Sequence, residues 1–169
     1  MSSKLKPKIF LVDVDGVMTD GKIYQSLDGK VMKVFGPDDH DALKLLQRHV
    51  EVQFVSGDRS GFPLSEARIV GSMKMPLSLV STSERLSWIA ERWDLRDVAY
   101  MGDGIFDHYV ISAVGYGIAP ANADRLARES ADYVTERASA ERAVAEAALH
   151  LMERFFQPYD PQQPVDGIW

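Results

Sequence analysis

The chain has 169 residues, of which 46% are hydrophobic and 26% charged, a composition typical of a globular protein. Its 19 lysines and arginines against 25 aspartates and glutamates give a net charge of −6, which argues against nucleic acid as the main partner. The absence of cysteine excludes disulfides and thiol chemistry. We find no signal-peptide pattern and no apolar run near the roughly 20 residues of a membrane span, so we expect a cytoplasmic protein without a membrane partner.

The first predicted elements are a buried strand and a hairpin. The apolar run at 9–12 is typical of a central strand in a parallel sheet. Two roughly alternating segments follow at 22–26 and 30–35, joined by Leu27-Asp28-Gly29, and Asp-Gly between such segments indicates a β-hairpin. A helix is predicted over 38–48, behind acidic residues that suit a helix N-terminus.

Strand and helix alternate through the rest of the chain. Strands are predicted at 52–55, 77–80, 97–101, 115–119 and 133–134, and helices at 63–70, 83–93, 106–113, 122–129 and 138–156. This order is typical of an α/β fold with an open, doubly wound parallel sheet. We therefore predict one domain over residues 1–156, followed by an extended or disordered tail over 157–169, which contains three prolines and shows no periodicity.

Polar side chains follow three of these strands, at the point where each strand ends. Asp13 and Asp15 follow the first strand, Ser56-Gly57 follows the strand at 52–55, and Asp103 follows the strand at 97–101, with Asp107 one helical turn beyond. Doubly wound sheets bind ligands beyond the carboxyl ends of their strands. We therefore expect these residues to converge on one crevice.

The predicted crevice has the chemistry of phosphoryl transfer. Four neighbouring aspartates repel one another unless a cation lies among them, and Mg²⁺ is the hard divalent ion that oxygen ligands suit best. The same ion would neutralise phosphate oxygens and leave one carboxylate free to attack phosphorus. The hydroxyl and amides of Ser56-Gly57 would bind the transferring oxygens.

These residues also carry a family resemblance. Asp13-Val14-Asp15-Gly16 resembles the first motif of haloacid dehalogenase (HAD) phosphatases, and Gly102-Asp103 with Asp107 resembles a later one. More narrowly, the chain is similar from about Ile9 to about Leu151 to 3-deoxy-D-manno-octulosonate 8-phosphate phosphatases and their nonulosonate relatives. The resemblance implies a HAD-like Rossmannoid fold with a β-hairpin inserted after the first strand and no cap domain.

The resemblance also implies a role for each matching residue. Asp13 would be the nucleophile, and Asp15 would protonate the leaving oxygen and then activate water. Asp13, the backbone carbonyl of Asp15, and Asp103 would bind Mg²⁺, with Asp107 holding the metal site from nearby. Ser56-Gly57 would bind the phosphoryl group.

The chain departs from the family pattern at a phosphate-binding lysine and in the substrate loops. Arg85 or Lys74 is expected to replace the lysine. Arginine keeps the charge but presents it with a different geometry. The residues expected to contact the substrate are Thr19, Asp20 and Arg59, the last of which follows an aspartate where relatives commonly have arginine.

The function that the resemblance implies is hydrolysis of a small phosphorylated sugar acid by a homotetramer, in which the hairpin and the tail close a neighbouring subunit's site. One alternative is a catalytically weak HAD-fold scaffold or regulatory protein, which the lysine replacement motivates. Another is a phospho-accepting signalling domain, which also uses an aspartate after a strand. The intact aspartates argue against the first alternative, and the paired aspartates after the first strand argue against the second.

Overall fold

The computed structural model describes residues 6–163, so the last six residues of the predicted tail lie outside the described part of the chain. The strands are β1 (Ile9–Asp13), β2 (Tyr24–Ser26), β3 (Gly29–Met32), β4 (Glu51–Ser56), β5 (Leu77–Leu79), β6 (Val98–Met101), β7 (Tyr116–Ala119) and β8 (Tyr133–Val134). Six of them form one sheet in the order β5-β4-β1-β6-β7-β8, and every neighbouring pair is parallel.

Helices cover both faces of this sheet. They are α1 (Asp39–Leu46), α2 (Phe62–Glu66), α3 (Arg85–Ala90), α4 (Asp107–Ala113), α5 (Arg125–Ser130) and α6 (Ala143–Phe155), and α2 continues into a π-helical turn over Ala67–Ser72. One apolar core lies under α1 and α6, and the other under α3, α4 and α5. Each residue of β1 is buried, as its unbroken apolar sequence predicts. No helix within residues 6–163 is long and apolar enough to cross a membrane.

The strand order reverses at β1, and this reversal positions the functional site. From β1 the chain first builds outward through β4 and β5, and then returns to the other side of β1 for β6, β7 and β8. The carboxyl ends of β1, β4 and β6 therefore border a crevice at the topological switch point, where α/β sheets bind their ligands. The predicted doubly wound parallel sheet is confirmed.

The predicted hairpin is also confirmed, as a separate two-stranded antiparallel sheet of β2 and β3 that turns at Leu27-Asp28. Some helix boundaries differ from the prediction. The last helix begins at Ala143 rather than at 138, because Ala140 and Arg142 have φ of 57° and 73°, which a right-handed helix cannot include. Residues 157–163 form neither helix nor strand. The division of the chain at residue 156 stays a prediction.

Candidate active site

A tight turn after β1 brings two motifs of the sequence together. Gly16 has φ of 81°, and the side-chain oxygen of Thr19 accepts hydrogen bonds from the amides of Gly16 (3.1 Å) and Gly21 (3.3 Å). A Cβ atom at Gly16 would lie 2.0 Å from Oδ2 of Asp103. The glycine in this motif therefore allows Asp103 to approach the end of β1, where Asp13 is the last residue.

Asp13, Asp103 and Asp107 form a cluster in which one carboxylate oxygen from each lies within 4.8 Å of the others. Burial raises the pKa of Asp13 well above its ordinary value, and the charges of Asp107 and Asp103 raise it further, although Arg85 opposes them. Burial and the charge of Asp107 raise the pKa of Asp103 to about 7. A cation among these oxygens would relieve both the repulsion and the burial of charge, so this donor set fits a hard divalent metal ion.

Arg85 supplies a positive charge inside this aspartate cluster. It is only 1% exposed, and its Nη1 lies 3.1 Å from Oδ2 of Asp13 and 3.2 Å from Oδ1 of Asp107. Nη1 also donates to the hydroxyl of Tyr100 at 2.8 Å. Burial alone would lower the pKa of Arg85, but the charges of Asp13, Tyr100 and Asp107 raise it above its usual range. The guanidinium is therefore a fixed cation beside the predicted nucleophile.

Lys74, the other candidate for the family's lysine, lies away from these carboxylates. Its side chain is exposed, and its Nζ donates to the backbone carbonyl of Gly71 at 2.5 Å. Of the two candidates, the structure brings only Arg85 to Asp13.

Asp107 organises the loop that carries Asp103. Its Oδ2 accepts hydrogen bonds from the amides of Asp103 (3.1 Å) and Gly104 (2.8 Å), and its Oδ1 accepts from the hydroxyl of Tyr100 (2.6 Å). These hydrogen bonds occupy both carboxylate oxygens of Asp107, which suits a residue that supports the metal site from a neighbouring position. Sequence reasoning missed Tyr100. The only signal was a polar hydroxyl in an otherwise apolar central strand.

The carboxylate of Asp15 lies outside the aspartate cluster and faces different partners. Its Oδ2 accepts a hydrogen bond from the hydroxyl of Ser56 at 2.6 Å, and its Oδ1 lies 2.5 Å from Nζ of Lys33. The hydroxyl of Ser56 is buried and also accepts from the amide of Asp58 at 3.2 Å. Sequence reasoning gave neither Lys33 nor Asp58 a role at the site. Lys33 was placed in the hairpin, and Asp58 was noted only as a departure from the family pattern after Ser56-Gly57.

The other residues predicted to bind phosphate or substrate lie around the aspartate cluster and Asp15. Gly57 is exposed, and a Cβ atom there would lie 3.5 Å from Nη2 of Arg85, so its backbone borders the guanidinium. The Thr19 hydroxyl is engaged with backbone amides of the turn, which gives it a structural part. Asp20 is half-buried and accepts from the amide two residues on, and Arg59 is exposed. Substrate contact by Thr19, Asp20 and Arg59 stays a prediction.

Relatives of the chain share both its sequence and its fold. The 3-deoxy-D-manno-octulosonate 8-phosphate phosphatases of Salmonella typhi and Escherichia coli K12 are each 31% identical to it over 144 residues, 82% of this chain and 76% of theirs. A probable phosphatase from Pseudomonas syringae has a TM-score of 0.76 and 30% identity, and the match covers 88% of this chain and 86% of that one.

A more distant solved structure shows the same fold. The 3-deoxy-D-manno-octulosonate 8-phosphate phosphatase of Moraxella catarrhalis, in complex with magnesium, phosphate and the sugar acid KDO, has a TM-score of 0.77 and 23% identity. That match covers 88% of this chain and 87% of the other. The family model of haloacid dehalogenase-like hydrolases matches residues 84–147. The chain therefore belongs to the HAD-like hydrolases, in the family of the 3-deoxy-D-manno-octulosonate 8-phosphate phosphatases.

Proposed function

We propose that the chain is a Mg²⁺-dependent phosphatase that hydrolyses a small phosphorylated sugar acid through an aspartyl-phosphate on Asp13. The observation that carries the proposal is the aspartate cluster with Arg85 at the end of β1, beside the separately held carboxylate of Asp15. The relatives that are 31% identical are 3-deoxy-D-manno-octulosonate 8-phosphate phosphatases, which supports octulosonate phosphates as the substrate class, and the resemblance adds nonulosonate phosphates.

The metal would be held by carboxylates of Asp13 and Asp103 and by the backbone carbonyl of Asp15. Asp107 would hold Asp103 in place through the backbone bonds of the loop. When bound, Mg²⁺ would neutralise phosphate oxygens and the clustered carboxylates. Arg85, Ser56 and the backbone of Gly57 would bind the transferring phosphoryl oxygens, since they lie around the same strand ends.

The reaction would proceed in two displacements at phosphorus. In the first, a carboxylate oxygen of Asp13 attacks phosphorus, the bond between phosphorus and the sugar oxygen breaks, and Asp15 gives its proton to that oxygen. In the second, water attacks the phosphorus of the aspartyl-phosphate and gives a proton to Asp15. The bond to Asp13 then breaks, which releases phosphate and regenerates the nucleophile.

The surroundings of Asp15 favour an anionic leaving group. A cavity of about 140 Å³ opens beside Asp15, between the hairpin and the loop after β4. Lys22, Lys30 and Lys33 line it, together with Tyr24. Lys33 is taken up by Asp15, Asp58 and Ser65, but Lys22 and Lys30 each have donors beyond one carboxylate partner, which suits a leaving group that carries a carboxylate, as a sugar acid does.

We also infer that the chain forms a homotetramer in which the hairpin contacts a neighbouring subunit, as the resemblance to its family implies. Apolar side chains of the hairpin region face outward in the single chain, with Ile23 67% and Val31 56% exposed. Burial of such side chains favours association. Size-exclusion chromatography with light scattering tests this inference, and a monomer at micromolar concentration would refute it.

Phosphate release from a panel of phosphorylated sugars tests the function directly. We expect Mg²⁺-dependent turnover of at least one sugar-acid phosphate, loss of turnover with chelator, and loss of turnover in Asp13→Asn. Asp28→Asn is the matched control, because Asp28 lies in the exposed hairpin turn away from the cluster. Inactivity across the panel would favour the silent scaffold instead, and turnover that survives Asp13→Asn would exclude the proposed nucleophile.

A further inference from the structure

Lys33, just after β3, brings a buried ammonium group from the hairpin into the active site. Its side chain is only 6% exposed. Nζ lies 2.5 Å from Oδ1 of Asp15, 2.8 Å from the hydroxyl of Ser65 and 3.0 Å from Oδ2 of Asp58. An ammonium group has three donors, and here each has its own acceptor. The position of Lys33 is therefore fixed from three sides.

Asp58 anchors this ammonium to the loop after β4. Its Oδ1 accepts a hydrogen bond from the amide of Gly61 at 3.0 Å and from the hydroxyl of Ser60 at 3.1 Å, and it lies 2.6 Å from Nζ of Lys30. A carboxylate with several charged and backbone donors is held in one orientation. Lys33 thus links the hairpin, the turn after β1 and the loop after β4.

The contact with Lys33 fixes the orientation of the Asp15 carboxylate. One oxygen of Asp15 is held by Lys33, and the other by the hydroxyl of Ser56 at 2.6 Å. Together the two bonds set the carboxylate towards the cavity under the hairpin and leave it outside the aspartate cluster. The leaving oxygen must lie on this side, because the nucleophile Asp13 occupies the other. Misplacement of a catalytic group by about 1 Å can cost roughly 100-fold in rate.

We propose that Lys33 is a positioning residue, which holds the carboxylate of Asp15 in reach of the leaving oxygen and makes that placement depend on the hairpin. The inference rests on the proposed function, in which Asp15 is the acid and base. It predicts that the loss of Lys33 affects proton transfer to the leaving group more than phosphate binding or the attack by Asp13.

Two substrates of different leaving-group character separate these effects. A sugar phosphate needs a proton on its leaving oxygen, whereas p-nitrophenyl phosphate releases a stable anion and needs little acid catalysis. We expect Lys33→Met to lower kcat on the sugar phosphate by at least about tenfold, since general acid catalysis contributes roughly 10²- to 10⁴-fold. The single-turnover rate of p-nitrophenol release, which reports the first displacement alone, should change little, and so should the KM of the sugar phosphate. Lys33→Arg should recover part of the loss.

Lys8→Met is the matched control, because Lys8 lies before β1, at the end of that strand away from Asp13, where its Nζ bonds to Asp97. We expect it to leave the ratio of the two activities unchanged. If removal of Lys33 alone destabilises the fold because Asp58 keeps Lys30 as its one cation, the double variant Lys33→Met/Asp58→Asn removes both charges together. The double variant should show the same selective loss on the sugar phosphate.

The outcomes distinguish this inference from the proposed function. An equal loss in kcat on the sugar phosphate and in the single-turnover release of p-nitrophenol, a rise in KM without a fall in kcat, or no loss at all would overturn the positioning role while the wild type stays active. A wild type that releases phosphate from neither substrate would overturn the proposed function itself, and the role of Lys33 with it.

Discussion

Removal of the buried guanidinium of Arg85 should destabilise the protein most strongly when no metal is bound. Arg85 contacts Asp13 at 3.1 Å and Asp107 at 3.2 Å, and all three side chains are almost fully buried. In Arg85→Met the volume stays filled, but two carboxylates lose their counter-charge. Removing one partner of a buried ion pair costs about 3–5 kcal/mol, because the remaining charge stays uncompensated. For a chain of this size that loss lowers Tm by roughly 10 °C.

Thermal and urea unfolding, with EDTA and with Mg²⁺, measure this effect. We expect the full loss in EDTA and a smaller one in Mg²⁺, because the metal ion restores positive charge among the same oxygens. Arg85→Lys is the matched control. It keeps the charge but loses donors of the guanidinium fork, so its loss should be nearer about 1 kcal/mol, the size of one hydrogen bond.

Two results would refute this reasoning. If Arg85→Met and the wild type unfold at the same temperature and the same urea concentration in EDTA, the guanidinium does not compensate the buried carboxylates. A loss of equal size in EDTA and in Mg²⁺ would mean that Arg85 stabilises the fold without acting on the aspartate cluster.

Three further predictions concern pH, the metal site and the backbone. Burial raises the pKa of Asp103 to about 7 and that of Asp39 to about 6, both from an ordinary 3.8. The native carboxyls therefore hold protons that the unfolded chain has lost. The free energy of unfolding of the metal-free protein, measured in urea, should fall as the pH rises from about 4 to 7. A free energy that rises over this range would contradict the prediction. Gly16→Ala should weaken Mg²⁺ binding by at least roughly tenfold in calorimetry, because the added Cβ atom would lie 2.0 Å from Oδ2 of Asp103. An unchanged affinity would show that the turn adapts. Ala140→Gly should raise the free energy of unfolding by about 1 kcal/mol, since φ at Ala140 is 57°, and a loss of stability would show that this φ carries no strain.

Much of the fold could be predicted because its signals are local. The apolar run of β1 ends at Asp13, so the buried strand and its catalytic end are adjacent in sequence. The alternation of strands and helices then placed Ser56 and Asp103 at the carboxyl ends of strands in the same parallel sheet. The Asp28-Gly29 signal of the hairpin was equally local, and Gly29 is the first residue of β3 after the turn.

The contacts that complete the site could not be predicted from local sequence. Lys33 bonds to Asp15, which lies 18 residues away in the sequence, and Arg85 bonds to Tyr100, which lies 15 residues away. Only the folded chain shows these partners. The sequence favoured Arg85 and left Lys74 as a second candidate, and burial beside the aspartates distinguishes them. The start of α6 was missed because its left-handed residues are not glycines.

The central claim is that Asp13 carries the phosphoryl group during turnover. Acid quenching of the enzyme during turnover of a ³²P-labelled sugar-acid phosphate with Mg²⁺, followed by peptide mapping, tests it most directly. We predict label on the peptide that contains Asp13, release of that label by hydroxylamine as expected for an acyl phosphate, and no label in Asp13→Asn. Metal-dependent phosphate release without any labelled protein, or label that persists in Asp13→Asn, would contradict the account.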